Sequence, residues 1–372
     1  MKVGILGGGQ LGRMLLQAAI NYDVETFVLE NDENCPSAHL CHHFTKGNIQ
    51  DFETVYQFGK QLDVVTIEIE AVNIEALEKL ESEGVMVIPN SQAIKTIKNK
   101  IHQKTFFQKN SIPTSSFIIT NNIQDLAEQA SFLPAVHKLA EGGYDGKGVV
   151  VLKTENQIKQ GFNEPSVLEK LVDIKKEIAV IVAVGKEMKT TVYPVTEMVF
   201  DDKLNLLDYQ VSPAKLTDEL TIEAGVLAKK LVLAFNSPGL FAVEMFVTND
   251  NKILVNEVAP RVHNSGHHTI EANYSSQFDM LWRIILNYPL GNTQPKYLSA
   301  IVNLIGDEGF AGPVLYNGLH DVLQMEHAFV HLYGKKETKP GRKMGHVTIL
   351  GQDEEELISK AHFIKKTLKV KS

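Results

Sequence analysis

Residues 2–12 read Lys-Val-Gly-Ile-Leu-Gly-Gly-Gly-Gln-Leu-Gly, an apolar segment that runs into a cluster of glycines. The apolar part predicts a short strand at 2–6, and the glycines predict a tight turn into a helix whose apolar face includes Leu11 and Leu15. The alternation continues, with strands predicted at 25–29, 64–69 and 85–88 and a helix at 74–82. Strands that alternate with helices predict a parallel, Rossmann-like sheet over about the first 90 residues.

The glycines Gly7, Gly9 and Gly12 have the spacing of a dinucleotide-binding turn. Glu30 ends the next predicted strand, where an acid that binds a ribose would lie. These features suit a nicotinamide-dependent oxidoreductase, but the same glycines serve any tight turn that aims backbone N–H groups at a phosphate. Both interpretations stay open from these residues.

The composition is typical of a folded globular protein: of 372 residues, 44% are hydrophobic and 22% are charged. At roughly 100–200 residues per domain, this length predicts two or three domains. The formal net charge of -8 has the wrong sign for a broad nucleic-acid-binding surface. We therefore expect an enzyme with no nucleic-acid partner, in which positive charge is local.

No apolar run reaches the roughly 18–20 residues of a membrane span, and Arg13 and the glycines interrupt the apolar start where a signal peptide would continue. We expect a cytoplasmic protein with no membrane partner. The two cysteines, Cys35 and Cys41, are too few for a disulfide framework. They lie near three histidines at a spacing that fits no common zinc module, so loop histidines beside small buried thiols are the favoured interpretation.

A basic segment at 94–108 is predicted as a helix that opens a second domain, with a boundary near residue 90. Its lysines fit a solvated helix face as well as they fit ligand contact. Farther on, strands predicted at 134–139 and 149–153 flank Glu-Gly-Gly-Tyr-Asp-Gly-Lys-Gly at 141–148. Because such a loop can lay its backbone over phosphates while Lys138 and Lys147 supply charge, we expect a phosphate-binding loop.

Two acidic residues are predicted to face each other across a hairpin. Apolar strand patterns at 243–248 and 253–258 surround a strong turn signal. With Asp250-Asn251 as a two-residue loop, Glu244 and Glu257 are equidistant from the turn and stand opposite each other, roughly 5 Å apart.

The opposed carboxylates point to a cation. This pairing places Phe246, Ile253 and Val255 on the same face as the two carboxylates, which argues against simple exposure to solvent. Like charges at such a distance destabilise a hairpin unless something positive lies between them. Mg2+ prefers oxygen ligands and also binds nucleotide phosphates, so we expect Mg2+ at this pair.

The hairpin leads into Ala-Pro-Arg-Val-His-Asn-Ser-Gly-His-His at 259–268. Arg261 can grip a phosphate or carboxylate through two hydrogen bonds, and His263, Asn264 and Ser265 are neutral groups that suit a polar substrate. A transition-metal site and histidines with no role are the alternatives. The residues alone thus indicate an ATP- and Mg2+-dependent enzyme with an anionic, polar substrate.

Together these motifs closely resemble those of the 5-(carboxyamino)imidazole ribonucleotide synthase family of ATP-grasp enzymes. The resemblance runs in the family's order from Gly-Gly-Gly-Gln-Leu-Gly-Arg-Met at 7–14 to Gly-Arg-Lys-Met-Gly-His at 341–346. It includes Lys138, the glycine loop at 143–148 and Glu244. Its most specific part is Asn-Glu-Val-Ala-Pro-Arg-Val-His-Asn-Ser-Gly-His at 256–267.

The resemblance implies a mixed α/β and α+β fold in three domains: a Rossmann-like pre-ATP-grasp domain at 1–90, an ATP-grasp domain at 91–295 and a small β-rich C-terminal lobe at 296–372. It implies that ATP phosphorylates bicarbonate to carboxyphosphate, which carboxylates the exocyclic amine of 5-aminoimidazole ribonucleotide in purine biosynthesis. ATP and Mg2+ are the implied cofactors, without NAD or biotin, and a homodimer is implied.

The resemblance also implies roles for individual residues. The ATP site would comprise Lys100, Lys138, Gly143, Tyr144, Asp145, Gly146, Lys147, Gly148, Glu169, Lys170, Leu171, Val172, Glu177, Asn256 and Glu257, with adenine bound along a strand edge at 169–172. Glu244 and Glu257 would hold Mg2+. The imidazole ribonucleotide would contact Tyr144, Asp145, Lys147, Arg261, His263, Asn264, Ser265, Lys335 and Arg342.

Within that set, the candidate catalytic residues are Asp145, Lys147, Arg261, Lys335 and Arg342. Asp145 is a hypothetical proton acceptor for the attacking amine. Lys335 and Lys336 are adjacent, so either could be the substrate-binding lysine.

Three other functions are weighed against this one. A formate-dependent glycinamide ribonucleotide transformylase would share the ATP site but is expected to differ around 261–267 and 342–343. A nicotinamide-dependent oxidoreductase would rest on the N-terminal glycines alone. A nucleotide sensor without catalysis is disfavoured because both carboxylates and the substrate loop are present.

Overall fold

A computed structural model of the chain describes residues 1–143, 148–200 and 207–372. Four residues of the predicted glycine loop, Tyr144, Asp145, Gly146 and Lys147, lie outside the described residues. Among the helices that are described, none combines the length and the apolar character needed to span a membrane.

The N-terminal part is a parallel sheet with helices between its strands. Its elements are β1 (Lys2–Leu6), α1 (Gln10–Ala19), β2 (Glu25–Glu30), β3 (His43–Lys46), α2 (Phe52–Gly59), β4 (Val64–Ile67), α3 (Ile74–Ser82) and β5 (Met86–Ile88). The strand order is β3-β2-β1-β4-β5, and every neighbouring pair is parallel. This confirms the Rossmann-like prediction, because three of the four connections between these strands contain a helix; β2 and β3 are joined by residues 31–42 without one.

Two helices replace the single predicted basic helix: α4 (Ser91–Lys98) and α5 (Lys100–Lys109). They are separated at Asn99, whose side-chain oxygen accepts hydrogen bonds from the backbone N–H groups of Ile101 and His102. The cap therefore starts a new helix with Lys100 in its first turn.

An antiparallel sheet of order β6-β9-β7-β8 follows. Its elements are β6 (Phe117–Thr120), α6 (Ile123–Glu128), β7 (Ala135–Leu139), β8 (Val149–Leu152) and β9 (Ser166–Lys170). The predicted glycine loop joins β7 to β8.

A larger sheet carries the rest of the central region. Its elements here are β10 (Ile174–Val184), β11 (Thr190–Val192), β12 (Thr196–Phe200), β13 (Leu207–Ser212), α7 (Asp218–Ala234), β14 (Gly239–Thr248), β15 (Ile253–Ala259), α8 (Thr269–Ala272) and α9 (Gln277–Ile285). The two predicted apolar strands around 243–258 are therefore confirmed as a hairpin, β14–β15.

The C-terminal part is rich in strands. It contains β16 (Leu298–Ile305), β17 (Gly312–Pro313), β18 (Leu315–Asn317), α10 (Leu319–Leu323), β19 (Ala328–Leu332), β20 (Glu337–Thr338), β21 (Lys343–Gly351), α11 (Glu354–Thr367) and β22 (Lys369–Lys371). Within the described residues the large sheet runs β15-β14-β10-β12-β13-β16-β21-β19, so it continues across the predicted boundary near residue 295.

A shared apolar core holds the N-terminal sheet against the central region. Leu15 on α1 and Trp282 on α9 are fully buried in one cluster. The indole Nε1 of Trp282 donates to the backbone oxygen of Leu15 at 2.7 Å. This contact fixes the glycine turn and the ends of the parallel strands close to the β14–β15 hairpin.

Candidate active site

The register of β14 and β15 places Glu244 directly opposite Glu257, as the sequence predicts. The reason differs from the predicted one. The turn contains three residues, because the N–H of Thr248 donates to the oxygen of Lys252 at 2.9 Å. Asn251 adopts a positive φ of 56° there.

A β-bulge corrects for the longer turn. Met245 pairs with Val255 and Glu244 with Glu257, so Asn256 is the extra residue. The bulge also corrects a predicted face: Ile253 and Val255 are buried in the core on the opposite face from Glu244, together with Met245. Phe246, two residues from Glu244 on the same strand, stays on the carboxylate face.

A lysine and a histidine flank the carboxylate pair. Lys100 Nζ lies 2.6 Å from Glu257 Oε2, and His263 Nε2 lies 3.4 Å from Glu244 Oε1. Lys100 lowers the pKa of Glu257, whereas burial and the neighbouring Glu257 raise the pKa of Glu244. Within the described part of the chain, one carboxylate is thus neutralised by a lysine, and the other has no equivalent lysine or arginine partner.

These residues fit Mg2+. They are two carboxylates beside the amide oxygen of Asn256, and Mg2+ commonly takes one or two protein carboxylates and completes its shell with water and substrate phosphates. In the described ranges there is no group of three or more His, Cys, Asp or Glu side chains placed to hold a metal. An ion at this pair would therefore need phosphate oxygens or water as its further ligands.

A second lysine, Lys138 on β7, lies beside the same pair. Lys138 Nζ donates to Asn256 Oδ1 at 2.9 Å and lies 3.0 Å from Glu169 Oε1. Asn256 is the bulged residue next to Glu257, so the bulge brings Lys138 to the carboxylate pair. A strand lysine beside a potential phosphate site is the arrangement expected for neutralising phosphate charge.

Glu177 shares the carboxylate face. On β10, Ala179 pairs with Glu244 and Glu177 pairs with Phe246, so Glu177 is a diagonal neighbour of Glu244. Burial raises the pKa of Glu177 to about 7. Its contact with ATP, implied by the resemblance, remains a prediction.

The two ends of the glycine loop meet. Gly148 has a φ of 75°, and a Cβ there would lie 3.1 Å from the Cα of Gly143. The N–H of Leu139 donates to the oxygen of Gly148 at 2.9 Å. The loop between them, with the predicted ligands Tyr144, Asp145, Gly146 and Lys147, falls outside the described residues.

The predicted adenine-binding segment, 169–172, comprises the end of β9 and the two residues after it. β9 is an internal strand, because Glu169 pairs with Phe117 on one side and with Val136 on the other. Pairing continues through the N–H groups of Lys170 and Leu171, which donate to Ser116 and Pro134. Val172 lies beyond this pairing, and adenine binding along 169–172 stays a prediction.

Arg261 connects the substrate loop to the N-terminal part. Its Nε lies 2.8 Å from Glu70 Oε1, and its Nη1 donates to the backbone oxygen of Val262 at 3.1 Å. Glu70 follows β4 at the carboxyl end of the parallel sheet, where ligands bind in such sheets. The guanidinium therefore lies where two domains meet.

Gln277 fixes the remainder of the loop. Its Oε1 accepts from the N–H of His263 at 2.8 Å, and its Nε2 donates to the oxygen of His263 at 2.7 Å. The ring of His263 also contacts the Ser265 hydroxyl, at 2.9 Å. Among the described residues, the buried Oδ1 of Asn264 has no hydrogen-bond partner, which suits a ligand that donates a hydrogen bond.

The C-terminal candidates contact different parts of the chain. Lys335 Nζ donates to Gln10 Oε1 and to the oxygen of Lys343, both at 2.7 Å, so it reaches the N-terminal glycine turn. Lys336 donates to Asn34 Oδ1 at 2.9 Å. Arg342 donates to the oxygen of Glu337 within its own lobe.

The glycine turn itself is filled by the chain's own carboxylates. Glu68 accepts from the N–H groups of Gly9 and Gly12, both at 2.7 Å, and Glu30 accepts from Gly8 at 3.0 Å. A Cβ on Gly7, whose φ is 100°, would lie 2.5 Å from Glu68 Cγ. The anion position of a dinucleotide turn is therefore occupied by a side chain, which argues against the nicotinamide alternative.

Comparison with known proteins identifies the family. Residues 1–98 match the ribonucleotide synthetase preATP-grasp domain, 105–278 the ATP-grasp domain, and 299–360 the phosphoribosylaminoimidazole carboxylase C-terminal domain. The N5-carboxyaminoimidazole ribonucleotide synthase of Aquifex aeolicus (strain VF5) is 36% identical over 376 residues, covering 99% of this chain and 97% of the relative. This chain belongs to the N5-carboxyaminoimidazole ribonucleotide synthase family.

Structures of this family share the fold. The N5-carboxyaminoimidazole ribonucleotide synthetase of Thermotoga maritima has a TM-score of 0.93 at 36% identity, over 100% of this chain and 99% of that one. The Aspergillus clavatus synthase, solved with ADP and 5-aminoimidazole ribonucleotide, has a TM-score of 0.88 at 35% identity over 98% and 97%. The chain spans 64% of the length of the 36% identical chloroplastic phosphoribosylaminoimidazole carboxylase of Vigna aconitifolia, with 94% of this chain covered.

As a member of the synthase family, the chain is an ATP-grasp ligase.

Two histidines of the segment that also carries the two cysteines contact other residues of the chain. His42 Nδ1 accepts from the N–H of Thr26 at 3.1 Å, and His43 pairs with Glu25. Cys35 and Cys41 are free thiols. These contacts give both histidines protein partners, and His43 begins β3, so the prediction that it lies in a loop is wrong.

Sequence reasoning missed four residues of this synthase site: Glu68, Glu70, Lys104 and Gln277. The acids could have been found, because both follow a strand of a parallel sheet at its carboxyl end. Lys104 follows Lys100 by four residues, a spacing that puts both on one helix face. Nothing local in the sequence marks Gln277, which acts on residues 10 and 14 positions before it.

Proposed function

We propose that the protein carboxylates the exocyclic amine of 5-aminoimidazole ribonucleotide with bicarbonate, at the expense of ATP, in purine biosynthesis. The products are 5-(carboxyamino)imidazole ribonucleotide, ADP and phosphate, with carboxyphosphate as the intermediate. The observation that carries the proposal is the opposed pair Glu244 and Glu257, with Lys100 and Lys138 on one side and His263 on the other.

The ATP side of the site is assigned to cations and to the carboxylate pair. Lys138 and Lys100 would neutralise phosphate oxygens, since phosphoryl transfer depends mainly on positioning and on neutralisation of spreading charge. Mg2+ held by Glu244 and Glu257, when bound, would supply further charge neutralisation and align the phosphates. Bicarbonate would then meet the terminal phosphate beside this pair.

The substrate side is assigned to the loop after β15. Arg261 would hold an anionic or polar group of the imidazole nucleotide, and Asn264 and Ser265 would hydrogen-bond it. Lys335 and Arg342 would reach it from the C-terminal lobe. Glu70 holds the Arg261 guanidinium at 2.8 Å, which fixes the direction in which the remaining donors point.

The glycine loop is assigned to closure over the reactants. Carboxyphosphate reacts readily with water, so a closed loop would exclude water while the amine attacks. Asp145 is the proposed acceptor or orienter of the amine proton. Replacing Asp145 with Asn is expected to preserve ADP binding and to abolish carboxylation, and normal turnover in that variant would reject this role.

We further propose that the enzyme works in the cytoplasm as a homodimer. Both properties are supported by the family resemblance. Light scattering coupled to size-exclusion chromatography gives the mass in solution, and the mass of a monomer would reject the homodimer.

The decisive experiment compares three assays. The first measures ADP release with 5-aminoimidazole ribonucleotide and bicarbonate, and the second measures ADP release with glycinamide ribonucleotide and formate. The third measures oxidation of NADH in the absence of either ribonucleotide. We expect ADP release that depends on both the imidazole nucleotide and bicarbonate. Absence of that dependence would reject the proposed function.

A further inference from the structure

Lys104 is a buried lysine outside the residues assigned above. It lies on α5, and its side chain is 3% exposed. Its Nζ lies 2.8 Å from Glu169 Oε2 and donates to Thr114 Oγ1 at 2.7 Å. Burying an ammonium group is costly unless it is paired. A solvated helix face therefore does not explain the position of Lys104.

Glu169 bridges Lys104 to Lys138. One carboxylate oxygen faces Lys138 at 3.0 Å, and the other faces Lys104 and accepts from the Ser115 hydroxyl at 2.5 Å. Burial alone would raise the pKa of Glu169, but Lys138 and Lys104 together lower it to about 2. The carboxylate is therefore ionised and shared between two lysines.

The network is tied to the metal-binding hairpin from both ends. Lys138 also donates to Asn256 on β15, and the Thr114 hydroxyl that accepts from Lys104 donates to the oxygen of Val255 at 2.6 Å. Among its contacts with described residues, the Lys138 ammonium donates one hydrogen bond, to Asn256, and forms one ion pair, with Glu169, so it retains a donor for a phosphate oxygen. Lys104 lies behind Glu169, as seen from Lys138, and so does not itself need to touch ATP.

The charges in this buried group do not cancel. Lys104 and Lys138 carry two positive charges against one negative charge on Glu169, so the group presents one net positive charge beside Asn256 and Glu257. Without Lys104 the group would be a neutral pair, in which the charge of Lys138 is balanced by the charge of Glu169. In a site of low dielectric, a neutral pair attracts phosphate far less than a net cation does.

We propose that Lys104 is a positioning residue for ATP: by sharing Glu169, it keeps the charge of Lys138 available for the ATP phosphates. This inference rests on the proposed assignment of Lys138 to ATP. Lys104 acts through Glu169 and Lys138 and not by touching the nucleotide.

The test compares nucleotide affinity with substrate affinity in charge variants. Lys104→Met is expected to weaken ADP binding and to raise the KM for ATP, each about tenfold, while the KM for the imidazole nucleotide stays within about twofold. ADP affinity is measured by titration calorimetry, so it does not depend on turnover. Lys109→Met, which removes an exposed lysine from the same helix, is the matched control and should leave both values unchanged.

Rescue separates this charge effect from a structural one. Lys104→Met with Glu169→Gln removes one positive and one negative charge, so Lys138 again supplies one net positive charge. The double variant should recover ADP affinity to within about threefold of the wild type. If Lys104→Met does not fold alone, the double variant still carries the test, since it leaves no unpaired buried carboxylate.

Two results would overturn the proposal: unchanged ADP affinity in folded Lys104→Met, or a double variant that binds ADP at least about tenfold more weakly than the wild type. Failure of the proposed function looks different. In that case the wild type would release no ADP with the imidazole nucleotide and bicarbonate, while the order of ADP affinities among the variants would still report on Lys104.

Discussion

At the scale of single residues, the ionised groups around the β14–β15 hairpin share partners. Glu257 is held by Lys100, Glu169 is divided between Lys104 and Lys138, and Glu244 has, among the described residues, only the longer contact with His263. Glu244 is therefore the carboxylate whose protonation state depends most on what binds next to it.

The first prediction concerns this carboxylate and Mg2+. Burial and Glu257 raise the pKa of Glu244, so part of the ion-free protein carries a proton there. A divalent cation must displace that proton, so Mg2+ affinity should fall as the pH falls from about 9 to about 7. Calorimetry of Mg2+ binding in two buffers of different ionisation enthalpy should show proton release. Equal heats in both buffers would contradict the prediction, and EDTA treatment should abolish ADP release.

The second prediction concerns Arg261. A lysine keeps its charge but cannot form the planar, two-pronged contact, so Arg261→Lys should raise the KM for the imidazole nucleotide by roughly tenfold or more. The KM for ATP should stay within about twofold, because Lys100 and Lys138 are untouched. Arg283→Lys is the matched control, since Arg283 pairs with Asp279 on the outer part of α9. Parallel increases in both KM values after Arg261→Lys would contradict this assignment.

At the scale of elements, a helix start and a strand irregularity set the geometry of the site. Asn99 begins α5 and so places Lys100 in its first turn, and the bulge at Asn256 brings Lys138 beside Glu257. In each case a single asparagine places a lysine: Asn99 through the helix cap and Asn256 through the bulge.

The third prediction is that Asn99→Ala reduces stability by about 1 kcal/mol, the usual cost of losing a helix cap. It should also raise the KM for ATP severalfold, because Lys100 lies in the turn that loses its cap. The measurements are urea unfolding and steady-state kinetics.

Asn122→Ala provides the control for Asn99→Ala. Asn122 caps α6 in the same way, by accepting from Gln124 and Asp125, and no predicted ligand lies on that helix. It should cost a similar free energy of unfolding with no change in the KM for ATP. If the two variants change the KM equally, the helix start does not position Lys100.

These elements also show what could be predicted from sequence. The strand–glycine–helix unit and the hairpin follow from local periodicity, and the pairing of Glu244 with Glu257 was predicted correctly. It was correct because two one-residue errors cancel: the turn is one residue longer than predicted, and the bulge at Asn256 restores the register. The turn length and the bulge depend on tertiary contacts, such as the hydrogen bond from the N–H of Val255 to the backbone oxygen of Pro113. The local sequence pattern therefore could not predict either feature.

At the scale of the whole molecule, contacts distant in sequence assemble the site. Arg261 reaches Glu70, Lys335 reaches Gln10, and the pairing of Gln210 with Ile301 carries one sheet from the ATP-grasp region into the C-terminal part. Such partners lie too far apart for local patterns to reveal, which is why the three-domain outline could be inferred from resemblance but these contacts could not.

The last prediction tests whether the apolar core between α1 and α9 holds the parts of the site together. Trp282 is the protein's single tryptophan and is fully buried against α1, so its fluorescence reports on this contact. Leu15→Ala should reduce the free energy of unfolding by about 2–5 kcal/mol and shift native emission to the red, because the cavity opens beside the indole.

Leu29→Ala distinguishes loss of this contact from loss of stability. Leu29 is equally buried but packs in the other core of the N-terminal sheet. It should cost a comparable free energy, about 2–5 kcal/mol, without changing native emission. Since Arg261 and Glu70 meet across the same boundary as Leu15 and Trp282, only Leu15→Ala should also raise the KM for the imidazole nucleotide. Equal effects of the two variants on emission and on that KM would show that this core does not align the site.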